Sequence, residues 1–440
     1  MKWFYRMSTW LLYGYVFLLP GQARWIWREA SLGGWVWEYG RGSLYLTDFL
    51  WVALLLCAWC FPHTSVRMRQ WWLALGALVI IAFGSVLASV HADTSWYAWL
   101  RLLQGISLIW IIYRLRFSWR GISIALIGAG VVQAGFGIWQ FFFQEVMAST
   151  WLGMASHAPA ILGDSVIETT AGRFLRAYGT LPHPNILGGF LAVCLVLLIP
   201  LLASVYRDWK YGWYGAIGVP ASFVIILTGL LFTFSRSAWL GAGVAFVGMF
   251  VASLWQRDRL RMRLLCRAAV WGIAVIAVCW ILIPEPFQTH LIDGGRLEQR
   301  SSDERMMGIR DSFEQLGQTW VAGTGIGAST YANFQERPTT QDGFAEPVHD
   351  IYLLVFVELG ILGGMLFLWL LGLFITSFMH QLTRRPPVSD GYIAFAVAVA
   401  CVLVIGLFEH FIWSLAFGGL LFWLLFGMWL KIETFGVVDK

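Results

Sequence analysis

The sequence predicts an all-α polytopic membrane protein with about twelve transmembrane helices and one large, partly helical extracytoplasmic loop. Of its 440 residues, 59% are hydrophobic and only 12% are charged, whereas soluble globular chains carry about 25% charged residues. Apolar runs long enough to cross a hydrocarbon core roughly 30 Å thick recur along the chain. These runs are continuous and do not alternate with polar residues, so they indicate helices and not barrel strands.

Each predicted helix corresponds to one apolar run. The runs cover residues 8–20, 44–61, 71–90, 96–113, 121–143, 185–205, 213–233, 236–255, 268–284, 350–378, 391–409 and 411–431. We divide the chain into residues 1–170, with the first five helices, and residues 171–440, a catalytic region that includes the long loop 285–349.

The basic residues predict the orientation. Most of the 30 Lys and Arg residues fall in segments that are cytoplasmic if the N-terminus is cytoplasmic, and this bias sets the topology of multi-pass proteins. Both termini are then cytoplasmic, and the loops 144–184 and 285–349 lie outside. Loops of this length are usually functional.

The second outer loop contains a predicted helix. Ser301-x-x-Glu304 matches a capping box, and Arg305 falls at the edge of the apolar stripe that follows. We expect this helix to lie on the membrane domain with Arg305 facing inward. The run Gly323-Thr-Gly-Ile-Gly327 after it is either a tight turn or an anion-binding nest of backbone amides. The stripe consists of Met306, Ile309, Phe313, Leu316 and Trp320.

Several classes of chemistry lack their motifs. The sequence has no Gly-x-x-x-x-Gly-Lys phosphate loop, no Asp-x-Asp metal pair and no His-x-x-x-His or Glu-x-x-His pair on an outer helix. Cys57-x-x-Cys60 lies within an apolar helix, where packing explains it better than redox or zinc chemistry. We therefore expect no metal, no cofactor and no nucleic-acid partner.

Three arginines are placed to meet an anionic lipid headgroup at the outer face. Arg236 lies in the turn between two helices, Arg305 on the loop helix and Arg176 just before a helix. Arginine grips phosphate as a bidentate fork and does not deprotonate. The alternative is that each arginine only anchors the interface or pairs with a loop acid.

His349 stands where the acidic outer loop enters the tenth long apolar run. An imidazole pKa near 6.5 suits proton abstraction. The alternative is an ordinary interface histidine.

Charged residues within the membrane are functional candidates by default. Arg101 lies about one turn below the outer face. Glu358 is on the opposite side of the helix from His349, so we expect Glu358 to pair within the bundle. His410, after Glu409, is a candidate for a polar rim.

Four motifs in order along residues 170–430 carry a family resemblance. They are Gly179-Thr-Leu-Pro-His-Pro-Asn185, Phe234-Ser-Arg-Ser-Ala-Trp-Leu-Gly241, Glu304-Arg305 with Gly323–Gly327, and His349-Asp-Ile-Tyr-Leu353 followed by Glu358-Leu-Gly-Ile-Leu-Gly363. The chain resembles the O-antigen ligase and polymerase superfamily of bacterial membrane glycosyltransferases.

The resemblance implies that a glycan is transferred from undecaprenyl diphosphate to an acceptor hydroxyl at the outer side of the bacterial inner membrane. His349 would be the base, and Arg236 and Arg305 the diphosphate clamp, with Arg176 as a third member. Asp350 stands where the family often has an amide. Metal and nucleotide are not needed, because diphosphate leaves well once its charge is stabilised. Supporting polar residues would be His183, Asn185, Asp350, Glu358, Glu409, His410 and Arg101.

The acceptor stays open at this point. A ligase would use lipid A-core, a polymerase another lipid-linked repeat, and a protein acceptor also occurs in the superfamily. An alternative from another class is a multi-pass transporter of an anionic solute, although transporters favour broken helices and internal repeats.

Overall fold

The structure is a computed structural model that describes residues 2–61, 69–208, 217–293, 296–337, 346–383 and 388–436. Helices dominate it. In chain order they are α1 (Lys2–Leu18), α2 (Leu46–Trp59), α3 (Arg69–Leu87), α4 (Ala92–Arg114), α5 (Trp119–Phe143), α6 (Pro184–Asp208), α7 (Val219–Phe232), α8 (Arg236–Trp255), α9 (Arg259–Leu282), α10 (Pro284–Gln288), α11 (Arg296–Thr319), α12 (Ser329–Glu336), α13 (Ile351–Thr383), α14 (Asp390–Ile405), α15 (Phe411–Ser414) and α16 (Ala416–Phe435).

The predicted membrane helices are all present as helices. Each of the twelve apolar runs overlaps one of the long helices, namely α1 to α9, α13, α14 and α16. Among the described helices, seven are long and apolar enough to cross a membrane, and α2, α7 and α14 are shorter apolar helices. The all-α membrane fold is therefore confirmed, and the number of twelve spans stays a prediction.

Polar caps fix where several of these helices begin. The Ser235 side chain accepts from the backbone N–H of Ala238 at the start of α8. Asp258 does the same for α9, and Ser389 for α14. A side-chain acceptor satisfies an N–H group that has no partner within the helix, which helps to fix the N-terminus.

Helices α6 and α14 form the centre of the bundle. Nearly all of the α6 membrane window is buried, and it packs on α5, α7, α8, α9 and α14. Gly188 makes a close approach to α8 that a side chain would block, because a Cβ there would meet the Cβ of Ser235 at 2.8 Å. The starts of α6 and α8 therefore lie against each other.

Short strands, which the all-α prediction missed, occupy the segments outside the helices. They are β1 (Arg24–Arg28), β2 (Ser31–Leu32), β3 (Trp35–Val36), β4 (Gly42–Tyr45), β5 (Val166–Thr169) and β6 (Gly172–Leu175). They pair antiparallel as β1–β4, β2–β3 and β5–β6. The segment between α1 and α2 is thus a folded hairpin and not a simple connection.

The loop helix α11 differs from its prediction in two respects. It begins at Arg296, so Ser301 lies inside it and does not cap it. Its buried positions are polar, Ser312 and Gln315. Of the predicted apolar stripe, Met306, Phe313 and Trp320 are exposed, and the other two residues, Ile309 and Leu316, are half-buried. The helix does pack on the membrane domain through α13, but its most buried face is polar and most of the apolar stripe is exposed.

The glycine run after α11 is a turn that docks on a break in α13. Gly360 interrupts α13 with a φ of 68° and a ψ of −172°, a conformation that favours glycine. The N–H groups of Thr324 and Gly325 donate to the carbonyls of Val357 and Glu358, and that of Ile361 donates to Trp320. The amides of Thr324 and Gly325 are thus bonded to backbone carbonyls of α13, which supports a turn at these positions.

Candidate active site

Glu409 is the centre of the candidate site. It lies between α14 and α15 and is only 4% exposed. Its Oε1 accepts hydrogen bonds from Asn185 Nδ2 at 2.7 Å and Ser237 Oγ at 3.2 Å, and lies 3.4 Å from Arg305 Nη2. Its Oε2 is 3.8 Å from His349 Nδ1. We call these five residues the Glu409 cluster.

Five separate segments supply the cluster. Asn185 lies in the first turn of α6 and Ser237 in the first turn of α8, while Arg305 is on α11. His349 immediately precedes α13, and Glu409 follows α14. All five lie at one end of the helix bundle. A buried carboxylate is stable only when it is paired and hydrogen-bonded, and these partners keep the pKa of Glu409 below its usual value although burial raises it.

His349 lies between two carboxylates. Its Nε2 is 3.3 Å from Glu346 Oε2, and its Nδ1 faces Glu409. Burial lowers the pKa of His349, but the contact with Glu346 and the negative charges of Glu346 and Glu409 outweigh burial and raise the pKa to about 9. Burial also opposes ionisation of Glu346, yet His349 brings the pKa of Glu346 to about 2. The imidazole is therefore mostly protonated at neutral pH.

The neighbouring histidines are neutral. Burial, followed by the charge of His349, lowers the pKa of His410 to about 3; its ring centroid is 4.9 Å from that of His349. Its Nδ1 lies 2.6 Å from Ser414 Oγ and its Nε2 lies 3.4 Å from Tyr39 Oη. Both ring nitrogens of His410 therefore contact protein groups. This supports a role for His410 in lining the site and not as a second base.

His183 supports the start of α6. Its Nδ1 accepts from the backbone N–H of Asn185 at 3.1 Å, so the ring proton is on Nε2, which donates to Ser165 Oγ at 2.8 Å. Burial, followed by the charge of Arg176, lowers the pKa of His183 to about 4. The ring orients Asn185 toward Glu409.

The three predicted arginines occupy different environments. Arg305 is 32% exposed on its side chain, and its Nε is buried with no hydrogen-bond partner in the described part of the chain. Arg236 is exposed at the first position of α8, next to Ser237. Arg305 and Arg236 therefore both reach the surface of the protein.

Arg176 instead holds the backbone beside the site. Its Nε donates to the Thr233 carbonyl at 2.7 Å, and its Nη2 donates to the Phe234 carbonyl at 3.2 Å and to Asn185 Oδ1 at 2.5 Å. Phe234 has a φ of 47°, a backbone conformation that residues other than glycine adopt only at some energetic cost. These contacts support a positioning role for Arg176, because they fix the turn that presents Arg236.

The remaining predicted residues lie around the cluster. Asp350 accepts from the N–H groups of Tyr352 and Leu353 at 2.8 and 3.1 Å, a helix cap that an asparagine would also provide. Glu358 is 2% exposed and accepts from Ser329 Oγ and Trp413 Nε1, so its partners lie within the bundle. Arg101 forms a bidentate pair with Asp48, with Nη–Oδ distances of 2.7 and 3.0 Å.

Sequence reasoning missed three groups near His349. Glu346 is the nearest carboxylate, and the spacing Glu346-x-x-His349 was visible in the loop. Ser237 follows the predicted Arg236 directly. Tyr39, in the short turn Glu38–Gly40 before β4, contacts His410, and no local pattern marks it. A cavity of about 90 Å³ is lined in part by Tyr39, Pro347 and Trp413.

A cation site fits these residues poorly. Ligand atoms of Glu346, His349 and His410 lie within 4.8 Å of one another, the only spacing in the described residues that suggests a metal. Metal ligation requires neutral imidazoles with a free nitrogen. Both ring nitrogens of His410 already contact Ser414 and Tyr39, which leaves His410 without a free nitrogen for a metal.

Comparison with known proteins gives one family. Residues 221–368 match the model of a family described as O-antigen ligase. No curated protein matches the chain. The matched segment is shorter than the stretch that carries the motif resemblance: it contains Arg236, Ser237, Arg305, Glu346 and His349, and Glu409 lies beyond it. Over residues 221–368 the chain is therefore similar to the O-antigen ligase family.

Proposed function

We propose that the protein transfers a glycan from undecaprenyl diphosphate to an acceptor hydroxyl at the outer face of the bacterial inner membrane. The observation that carries the proposal is the Glu409 cluster, because one buried carboxylate brings a solvent-facing arginine and an imidazole together. The family supports a ligase or polymerase type of membrane enzyme, and the cluster supports the donor chemistry.

The donor diphosphate would bind between Arg305 and Arg236. Arg305 has one guanidinium nitrogen on Glu409 and its Nε without a partner among the described residues. Arg236 stands at the N-terminus of α8, where helix amides add partial positive charge. During transfer the bond between the anomeric carbon and the diphosphate oxygen breaks, and cationic groups already in place stabilise the charge that develops on the leaving group.

His349 would take the proton of the acceptor hydroxyl as its oxygen forms the new bond to the anomeric carbon. Glu409 faces Nδ1 from the buried side, so Nε2 is the nitrogen that faces the opening. In the resting site Glu346 occupies the position beside Nε2. An acceptor hydroxyl that replaces Glu346 removes one of the two charges that raise the histidine pKa, and so favours the neutral imidazole.

The acceptor class can be identified from the products that the protein forms with each candidate acceptor. We expect lipid A-core as acceptor, as in a ligase. The runner-up is a second lipid-linked repeat, as in a polymerase. Purified protein would be incubated with lipid-linked glycan and each acceptor separately, and the products identified by mass. Product with lipid A-core alone supports a ligase, product with the lipid-linked repeat alone supports a polymerase, and no product with any acceptor refutes the enzyme proposal.

Matched variants test the site itself. We expect His349→Ala and Arg305→Lys to lose at least about 100-fold in transfer, the scale seen when a general base or a charge-stabilising donor is removed. His380→Ala, at the other end of α13, and Arg310→Lys, exposed on the same helix as Arg305, should retain activity. Near-normal transfer by folded His349→Ala protein would remove this histidine as the base.

A further inference from the structure

A second polar cavity lies at the end of the bundle opposite to the Glu409 cluster. Its volume is about 600 Å³, within the range of small-molecule sites. Helices α6, α8 and α14 each run from the Glu409 cluster to this cavity. The length of α6, about 37 Å at 1.5 Å per residue, therefore separates the cavity from the cluster. Its charged lining residues are Arg120, Arg207, Arg257, Arg259, Arg261, Asp258 and Asp390.

Arg261 shows that the cavity is a built site and not a surface patch. The residue is 1% exposed, and its Nη2 pairs with Asp390 Oδ1 at 2.7 Å and with Asp258 Oδ2 at 3.2 Å. Its Nε and Nη1 are buried with no hydrogen-bond partner among the described residues. Leaving buried donors unsatisfied is costly, so these two groups point to an acceptor.

The charge of the cavity favours an anion. Five arginines face two aspartates, and both carboxylates are already shared between Arg261 and Arg207, whose Nε is 2.9 Å from Asp390 Oδ2. The N-termini of α9 and α14 border the same space, and helix amides attract anions. Arginine forks and helix N-termini are the combination that recognises phosphate.

We propose that this cavity binds a phosphate-bearing anion, independently of glycan transfer. The Nε and Nη1 edge of Arg261 contacts the phosphate oxygens, and Arg257 and Arg259 at the rim supply further charge. The phosphate belongs either to an anionic lipid headgroup or to a soluble phosphate compound, since the cavity opens to the surface and has room for substituents. On the predicted topology this end faces the cytoplasm.

The test measures thermal unfolding of the full-length protein at constant ionic strength, in two arms. In detergent, unfolding with inorganic phosphate is compared with unfolding in chloride. In nanodiscs of phosphatidylcholine, unfolding is compared with and without phosphatidylglycerol. We expect one of these anions to raise the Tm of the wild type, and Arg257→Gln/Arg259→Gln to weaken its apparent affinity at least tenfold. Both substituted residues are exposed, so the variant should fold.

Arg263→Gln is the matched control, because Arg263 is exposed on α9 but does not line the cavity. It should respond as the wild type does. A phosphate response identifies a soluble ligand, and a response to phosphatidylglycerol alone identifies a lipid headgroup. If neither anion raises the Tm, or if the double variant and Arg263→Gln respond alike, the cavity is only hydrated and the proposal is refuted.

Discussion

Replacing Glu346 with glutamine should shift the pH dependence of transfer in a defined direction. Glu346 Oε2 lies 3.3 Å from His349 Nε2, and it is one of two carboxylates that raise the pKa of His349 to about 9. Glutamine keeps the oxygen acceptor and removes the charge. Because Glu409 stays, we expect the pKa to fall by about one unit, the lower end of the effect of one close opposite charge.

The size of the effect follows from the neutral fraction of the imidazole. With a pKa of about 9, roughly 3% of His349 is neutral at pH 7.5. With a pKa lower by about one unit, roughly 24% is neutral. If the neutral ring is the base, kcat/KM for the acceptor should rise about eightfold at pH 7.5. Above about pH 10 both proteins are mostly neutral at this position and the profiles should converge.

The measurement is kcat/KM for acceptor between pH 6.5 and 10.5, because this parameter reports ionisations of the free enzyme. The kcat/KM of the wild type should rise with a midpoint near pH 9. That of Glu346→Gln should rise with a midpoint about one pH unit lower. Glu336→Gln, an exposed carboxylate at the end of α12, is the control and should keep the wild-type profile. Wild-type activity that falls as pH rises from 7.5 to 9.5 would show that the protonated ring is the active form.

Three further variants separate chemistry from architecture. Glu409→Gln should lower transfer about 100-fold and also lower Tm, because removing one partner of a buried pair costs about 3–5 kcal/mol; unchanged turnover and Tm would contradict its central position. Arg176→Lys should lower Tm through lost carbonyl contacts and leave the donor KM nearly unchanged, whereas a raised KM at constant Tm would identify a diphosphate ligand. Gly360→Ala should reduce folded yield, since its Cβ would meet Val321 O at 2.2 Å. Gly372→Ala, with nothing within 4 Å, should fold normally, and equal yields would argue against the break in α13.

The helices could be predicted because each one is encoded locally. A continuous apolar run is sufficient to indicate a membrane helix, and every predicted run overlaps a helix of the structure. The β1–β4 hairpin was not predictable in this way, because its strands are too short to show a pattern. The face of α11 was assigned wrongly for another reason: periodicity reveals an apolar stripe but not its neighbour, and the surface beneath α11 receives Ser312 and Gln315 instead.

The site was predictable residue by residue but not as an arrangement. Arg305 and His349 each stand at a position that suggests function, and Glu409 stands beside His410, a candidate for a polar rim. What joins them is spatial: Glu409 is separated from Asn185 by 224 residues and from Arg305 by 104. No local pattern encodes contacts over such separations. Arg176 illustrates the same limit, since its carbonyl acceptors belong to a turn more than fifty residues away.

The place of Glu409 in the chain has a consequence for biosynthesis. Arg305 and His349 precede Glu409 in the chain and are translated before it, because Glu409 follows α14. During synthesis these side chains therefore lack their shared counter-ion until the segment after α14 has been made. A nascent or prematurely terminated polypeptide holds no assembled centre, so the order of translation by itself keeps unfinished chains inactive.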